Sequence, residues 1–427
     1  MKVLVLGGGG REHALSWAIA RSPRCDDVWC VPGNGGTAEL APSFPLDVTR
    51  HDAVISACRE RSIDLVVIGP EQPLVEGLAD SLRAAGVAVF GPDAAAAQLE
   101  GSKAYAKDFM ARHGIPTAAC HVFDESEALQ EHLAECPVPV VVKADGLAAG
   151  KGVLICMDRA QALAAGVAMT EEKRFGEAGA RVVVEEFMLG EEASLLAFVD
   201  GETVVPLAPL QDHKRRFEGD EGPNTGGMGA YTPVPAMTSD LTEQAVREVL
   251  LPAARGLVAD GTPYRGVLYA GLMLTEQGPR VVEFNCRFGD PECQPLVLAA
   301  ETDLLPLFMA TAQGQLASAE PPRWHAGVVC CVVMVSDGYP GPYSKGLSIK
   351  DLPLDSDDCV VFHAGTRRDG DHLVTSGGRV LGITARGASL ASARSRAYDV
   401  VAAIDWEGAS FRNDIGWRSL ASEEKIS

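Results

Sequence analysis

The chain has 427 residues, of which 47% are hydrophobic and 22% charged, and its formal net charge is −21 at pH 7. That length exceeds one ordinary core and predicts about two to four packed units. No apolar run approaches the roughly 20 residues a bilayer helix needs, and such acidity argues against duplex DNA or an anionic membrane as partner, because both demand a broad basic surface.

From the N-terminus, Lys2 to Leu6 reads as a buried strand that meets the glycine run Gly7 to Gly10 at once, followed by a helical pattern from about Glu12 to Ala20. The opening segment lacks the longer apolar stretch and cleavage site of a signal peptide, so a cytoplasmic location is expected. Strand-like Val28 to Val31 and Leu65 to Ile68, with a helix from about Ala53 to Arg61 between them, continue an alternation that predicts a parallel α/β sheet with ligand loops at its strand ends. This unit is expected to end near Gly101.

A lysine-bearing helix, Lys103 to His113, opens a second region with short strands at Val138 to Lys143, Val153 to Cys156 and Val182 to Phe187. Glu192 to Val199 and Thr203 to Leu207 flank Asp200-Gly201, a dipeptide suited to a tight hairpin turn. Asp240 to Ala259 reads as helix. Val267 to Thr275 and Arg280 to Phe284 form a second hairpin pattern around Gln277-Gly278-Pro279. After a linker-like stretch, Ser318 to Arg323, the segments Val328 to Val335, Cys359 to Phe362 and Arg379 to Thr384 read as β, with a closing helix near Leu390 to Ile404. The eleven cysteines are scattered without a C-x-x-C pair and often sit in apolar runs such as Val329-Cys330-Cys331-Val332, so they read as buried reduced thiols.

Four clusters place charge or glycine where a plain core would not. In the first, the strand ending at Lys143 runs into Gly146, Gly150, Lys151 and Gly152, which lets backbone N–H groups approach phosphate while ammonium groups neutralise it. It is not a Walker A loop: three residues, rather than four, separate Gly146 from Gly150, and Gly152 follows Lys151. The second, Glu185-Glu186-Phe187-Met188 with Glu192, can offer backbone to an adenine edge and a carboxylate to a ribose; a strand end with exposed glutamates reads alike. In the third, Glu283 and Asn285 lie two apart on a strand and share a face, a pair of hard oxygen donors suited to Mg²⁺, and Arg287 continues the parity if the strand extends so far. The fourth joins Asp212, His213 and Lys214 to the glycine-rich loop carrying Asn224 and Thr225; it suits a zwitterion or anion, as a surface loop would also. His213 has no second histidine or cysteine at metal-ligand spacing and reads as a hydrogen-bonding residue.

In this order the clusters resemble the ATP-grasp superfamily and, within it, the glycinamide ribonucleotide synthetase family, over essentially the whole chain. The resemblance also rests on Gly9-Gly10-Arg11-Glu12-His13, Pro32-Gly33-Asn34, Gly69-Pro70-Glu71, Leu99-Glu100-Gly101-Ser102-Lys103, His363-Ala364-Gly365-Thr366, Gly377-Gly378-Arg379 and the signature-like run Arg287 to Gln294. Gly8 stands where the family often has serine, and Cys293 where it commonly has threonine.

The resemblance implies an α/β fold, in part α+β: a Rossmann-like parallel-sheet domain over 1–101, an ATP-grasp domain over 102–323 with a mobile lid at about 120–190, and a β-rich domain over 324–427. It implies joining of glycine to 5-phosphoribosylamine through glycyl phosphate, with ATP as phosphoryl donor, in purine biosynthesis. It assigns Lys103, Lys143 and the loop Gly146, Gly150, Lys151 and Gly152 to ATP phosphates, Glu185, Glu186, Phe187 and Met188 to adenine, and Glu192 to ribose. Glu283 and Asn285 would hold Mg²⁺ or Mn²⁺, two ions with ATP bound. Arg287 would steady the acyl phosphate, with Lys143 and Asp212 also in the reacting centre; Asp212, Lys214 and Asp290 would place glycine. Gly8, Gly9, Gly10, Arg11 and Glu12, with Asn224 and Thr225, would meet phosphoribosylamine, and the start of a helix is independently suited to phosphate. A single subunit is expected, and no residue argues for contact with the upstream amidotransferase. Another ATP-grasp carboxylate-amine ligase would share the metal strand and the lysines but not the Asp212 and Asn224 loops. A dinucleotide-binding oxidoreductase fits poorly, since the third glycine of G-x-G-x-x-G falls on Glu12.

Overall fold

The computed structural model of the chain describes residues 1–147, 152–170 and 181–426. Its first sheet is parallel, β1 (Lys2–Gly7), β2 (Asp27–Pro32), β3 (Leu65–Ile68) and β4 (Ala88–Phe90), in the order β2-β1-β3-β4. Val3 to Leu6 and Leu65 to Ile68 are buried without interruption, the pattern of strands covered on both faces. The helix Gly10–Ala20 starts directly off β1, as the glycine run predicts.

The second region forms an antiparallel sheet of β5 (Cys120–Phe123), which no sequence pattern marked, and the three expected short strands β6 (Val140–Ala144), β7 (Val153–Cys156) and β8 (Val182–Glu186), ordered β5-β8-β6-β7. It has its own core, in which Leu129 and Leu133, one helical turn apart, pack with Val140, Val142, Val182 and Val184. Residues 148–151 and 171–180 of the expected lid lie outside the described residues.

The chain then forms the hairpin β9 (Glu191–Asp200) and β10 (Thr203–Pro206). It winds through the short strands β11 (Gln211–Asp212), β12 (Arg215–Phe217), β13 (Glu221–Asn224) and β14 (Gly229–Thr232) before the second hairpin, β15 (Arg265–Thr275) and β16 (Gly278–Asn285). The central sheet runs β10-β9-β15-β16. The turn of the second hairpin falls on Glu276 and Gln277, one residue earlier than expected, so that Gly278 and Pro279 already belong to β16. The helical run between the hairpins contains a π segment, Val246–Leu250, immediately before Pro252. A wider turn there relieves the clash a proline ring makes with the preceding turn.

The last strands are β17 (Val328–Ser336), β18 (Cys359–His363), β19 (Thr366–Asp369), β20 (His372–Thr375), β21 (Arg379–Gly387) and β22 (Ala409–Ser410), with the helix Leu390–Ala403 packed on β21 and β17. Their main sheet, β11-β14-β17-β21-β18, takes in two strands from the winding segment. Residues near Asp212 are thereby built into the same sheet as the C-terminal strands.

Two buried histidines tie the first sheet to this terminal one: the His13 Nδ1 accepts the backbone N–H of His363 at 2.8 Å, and the rings lie 5.4 Å apart. Burial lowers His13 to about 3 and His363 to about 4, and His213 is lowered to about 3, again mainly by burial. Each imidazole titrates near 6.5 when unfolded. The unfolded chain therefore holds more protons below that pH, and the stability each histidine contributes is complete above it and lost as the pH falls toward the folded value. Each contributes about 1.4 kcal/mol per pH unit to that slope. Asp212, pushed up to about 7 mainly by burial, acts in the opposite sense, as does Glu100, raised by its burial. A net loss of roughly 1 to 3 kcal/mol per pH unit between pH 6 and 5 is expected in urea unfolding; a midpoint that stays flat to pH 5 would contradict it.

Candidate active site

The helix Lys103–Arg112 begins at Ser102, whose Oγ accepts the N–H of Tyr105 at 3.1 Å. Asp145, just past β6, accepts Ser102 Oγ–H at 3.0 Å and the N–H of Ala104 at 2.7 Å, which locks the end of the lysine strand to the start of the lysine helix. Lys103 Nζ donates to the Gly146 carbonyl at 3.2 Å, and Lys143 Nζ to the Val282 carbonyl at 3.2 Å. Lys143 is thus bonded to β16, and Lys103 is near enough to feel the charge of Glu283 on the same strand. Gly152 closes the hairpin through its carbonyl to Ala144 N–H at 2.8 Å, while Gly150 and Lys151 lie outside the described residues.

Glu185 and Glu186 point to opposite sides of β8, as alternation requires. The Glu185 carboxylate is buried between two lysines, with Lys143 Nζ at 2.9 Å and Lys107 Nζ at 3.1 Å. Lys107 carried no signal beyond its place one turn after Lys103 on the same helix face. Glu186 turns outward to Arg280 at 2.7 Å and to the N–H of Ala119 at 3.0 Å, so its side chain does not join the cleft. Phe187 and Met188 follow, half-buried, beyond the last ladder residue.

Glu283 and Asn285 lie on one face of β16 as their spacing predicts. Burial works against ionisation of Glu283, yet Lys214, Lys143, Lys103 and Arg287 together hold its carboxyl below the usual range. Among the described residues it accepts no hydrogen bond, so both oxygens are free for a ligand. Arg287 stands differently from expectation: β16 ends at Asn285, and the N–H of Cys286 leaves the ladder to donate to Glu100 at 2.7 Å. The guanidinium is aimed by carboxylates instead. Its Nη2 meets Glu100 at 2.6 Å and Asn285 Oδ1 at 3.3 Å, Nε meets Glu71 at 3.2 Å, and Nη1 donates to the Phe288 carbonyl at 3.3 Å. One of its five N–H groups remains unengaged among the described residues. Glu71 and Glu100 lie in segments that carry the family resemblance, but nothing in their spacing marked them as its partners.

Lys214, the first of the cations that hold Glu283 low, has its Nζ 3.0 Å from Glu192 and 3.9 Å from the buried Asp212. Despite burial, Asp212, Glu192, Tyr269 and Glu283 hold the Lys214 ammonium well above its ordinary value, while burial pushes Asp212 up to about 7 against the pull of Lys214. A relay behind them, Ser194 to Tyr269 at 2.7 Å and Tyr269 O–H to Glu292 at 2.9 Å, was not visible in the sequence.

A separate cavity of about 310 Å³ opens beside the glycine loop, lined by Gly8, Gly9, Asn34, Asp290, Tyr339, Thr366 and Arg379 among others. A Cβ at Gly8 would stand 2.6 Å from the Gly33 carbonyl, and one at Gly10 would stand 2.5 Å from Gln294 Nε2. These close approaches explain the glycine run. Arg11 and Glu12 are buried and do not line the cavity. Glu12 accepts the Gly9 N–H at 2.6 Å and Arg11 Nε at 2.6 Å, so both hold the loop from behind and neither meets the cavity directly. Asp290, expected to help place glycine, accepts Arg11 N–H at 3.3 Å and Gln294 at 2.9 Å, faces Arg379 at 3.4 Å and lines the cavity beside the Gly8 to Gly10 loop. Burial opposes its ionisation, but Arg379 and Arg11 hold it low. Asn224 and Thr225 do not line the cavity. Thr225 Oγ1 is spent within its own turn, donating to the Lys214 carbonyl at 2.8 Å and accepting Gly227 N–H at 3.0 Å, and Arg379 links that turn to the cavity through the Gly226 carbonyl at 2.6 Å.

Family models for phosphoribosylglycinamide synthetase match three stretches: the N domain over 1–100, the ATP-grasp (A) domain over 101–293 and the C domain over 329–418. The phosphoribosylamine-glycine ligase of Caulobacter vibrioides is 52% identical, covering 98% of this chain and 99% of its own, and that of Salmonella typhimurium is 50% identical, covering 99% and 100%. The crystal structure of the Thermotoga maritima phosphoribosylamine-glycine ligase superposes with a TM-score of 0.86 at 34% identity, covering 97% of this chain and all of that one. The biotin carboxylase domain of Hydrogenobacter thermophilus 2-oxoglutarate carboxylase, solved with MgADP and bicarbonate, shares the fold alone, with a TM-score of 0.73 at 16% identity. With its α/β architecture matched from end to end, the chain belongs to the phosphoribosylglycinamide synthetase family.

Proposed function

We propose that the chain is an ATP-dependent ligase that joins glycine to 5-phosphoribosylamine through glycyl phosphate, giving glycinamide ribonucleotide, ADP and phosphate. The observation that carries this reading is the setting of Glu283, whose carboxyl is held low by the combined charge of Lys103 and Lys143, the lysines proposed for phosphate, and of Lys214 and Arg287, the cations proposed for the carboxylate. A phosphate-binding face and a carboxylate-binding face thereby meet at one side chain.

In this reading Lys103 and Lys143 neutralise ATP phosphates, and Glu185, fixed by Lys107, orients Lys143. Phe187 and Met188 offer backbone to adenine, and Glu192 stands near the ribose side while pairing with Lys214. Asp212 receives the glycine ammonium, and Lys214 and Arg287 draw its carboxylate toward the γ-phosphorus. Carboxylate oxygen attacks there, the bond to ADP breaks, and the amine of phosphoribosylamine then attacks the acyl carbon and expels phosphate. Activation matters because a carboxylate is a poor electrophile and an acyl phosphate is a good one; the spare N–H of Arg287 faces the charge that develops. The glycine loop and Arg379 would hold the phosphosugar in the 310 Å³ cavity.

Two oxygen donors, Glu283 and Asn285, with the carboxylate ionised and free of hydrogen bonds, suit Mg²⁺ or Mn²⁺ of the kind completed by substrate phosphates. Such ions, two with ATP bound, would neutralise phosphate charge. Among the described residues no three acidic, histidine or cysteine side chains gather to hold a metal alone, and no helix is long and apolar enough to cross a membrane. We place the work in the cytoplasm, in a single subunit built of units 1–101, 102–323 with a lid at about 120–190, and 324–427; the lid's separate core supports that division. An assay omitting glycine, phosphoribosylamine and ATP in turn tests the reading. Phosphate release is expected only with all three present; release with another amine in place of phosphoribosylamine would point to a different ligase.

A further inference from the structure

Asp212 and Lys214 alternate with Gln211 and His213, so that while the first pair faces the cleft, the second faces away. His213 faces the C-terminal segment directly, whereas Gln211 reaches it only through Tyr231, its Nε2 donating to Glu191 and to the Glu192 carbonyl. His213 Nε2 accepts the N–H of Gly416 at 3.0 Å, and Tyr231 O–H donates to Gln211 Oε1 at 2.5 Å while its oxygen meets Ser419 Oγ at 2.6 Å. Next in the chain, the hairpin β12–β13 pairs with neither large sheet. It is held from outside: Arg216 reaches the Tyr339 carbonyl and Ser410, Arg418 reaches Asp220, Gly219 N–H donates to Asp414, and the most buried arginine among these supports is Arg412. Arg412, 1% exposed, donates from Nη1 to the Arg215 carbonyl and to Asp220, both at 3.0 Å, and its Nε and Nη2 are fixed by Asp414 at 2.7 and 2.8 Å. Asp220 closes the hairpin turn in the left-handed region, φ 58°, so its carboxylate is presented by a backbone that only a held turn keeps. Asn413 adds a bond to Glu218 at 2.7 Å.

From this arrangement we infer that Arg412 is a positioning residue for glycine: the C-terminal segment clasps the outer side of 211–220 and so sets where Asp212 and Lys214 stand in the cleft. Arg412 touches no reacting atom. It grips the carbonyl one residue after Lys214, so displacing it moves the ammonium that pairs with Glu192 and leaves Lys103 and Lys143, on other elements, in place. The inference rests on the proposed placement of glycine by Asp212 and Lys214.

The test uses the full chain as Arg412→Lys, Asn413→Ala and Asp212→Asn, with glycine and Mg²⁺-ATP varied separately and phosphoribosylamine formed in situ from ribose 5-phosphate and ammonia. A lysine cannot span Arg215, Asp220 and Asp414 together. For Arg412→Lys, KM for glycine should rise about tenfold or more while KM for ATP stays within about twofold. Asn413→Ala, the milder lesion, should raise KM for glycine about threefold and carries the test if Arg412→Lys fails to fold. Variants that melt earlier but keep both KM values give the clasp a structural role only and overturn the inference. If Asp212→Asn raises KM for glycine and neither clasp variant does, the clasp alone fails. An unchanged KM for glycine in Asp212→Asn overturns the placement of glycine, and the clasp with it.

Discussion

Glu283→Ala is expected to lower turnover on the order of 10² or more and to weaken use of Mg²⁺-ATP. Three lysines and Arg287 surround this carboxylate, and their combined charge keeps it ionised in a buried setting. Removing it takes away a metal ligand and at once leaves four cations facing one another without their shared counter-charge. Excess Mg²⁺ can restore part of the occupancy but not the lost carboxylate oxygen, so the deficit should narrow at high Mg²⁺ without closing. Initial rates across a Mg²⁺ series, with folding checked by urea unfolding, make the measurement. Wild-type rates at every concentration would remove Glu283 from the metal site and with it the ordering of the whole cleft.

The parts of this cleft that were legible in the sequence are those set by periodicity. Glu283 and Asn285 share a face because strand side chains repeat every two residues, and Lys143 follows directly on an apolar run, Val140 to Val142, that marks its strand plainly. Both hairpins declared themselves through turn-type residues, although Asp200, Gly278 and Pro279 prove to end or begin the strands and the turns fall on Gly201-Glu202 and Glu276-Gln277. Periodicity fails where the regular backbone stops. Arg287 lies beyond the end of β16, and its direction is set by Glu71 and Glu100, each from a different helix far back in the chain. The partners of Asp290 and Thr225 were hidden for the same reason: in irregular loops an acid or a hydroxyl is used by whichever backbone N–H lies near, and only the folded chain shows which. Lys107 was invisible because a lysine on a helix face reads as solvated until a buried glutamate is seen opposite it. The terminal sheet posed a third difficulty. Its strands were readable one by one, but β11 and β14 joined it from the middle of the chain, and pairing between distant strands leaves no mark in either.

Arg287→Lys should prove severe despite the retained charge, with kcat falling by on the order of 10² to 10³. The guanidinium spans two carboxylates and an amide oxygen, and with the Phe288 carbonyl this fixation leaves one N–H unengaged among the described residues. An ammonium is a point charge on a flexible stem; it can satisfy Glu100 or Glu71 but cannot hold both and still direct a donor. Glu100 is buried and already raised above its ordinary value by that burial even with Arg287 beside it, so a weaker partner would favour its protonated form and loosen the Cys286 N–H it anchors. The lysines that meet ATP phosphates lie on other elements and should be undisturbed. KM for ATP is therefore expected to change little while kcat collapses, the signature of an interaction made in the transition state. Should Arg287→Lys retain full kcat, the guanidinium would be no more than a brace between Glu71 and Glu100, and stabilisation of the acyl phosphate would have to come from Lys214.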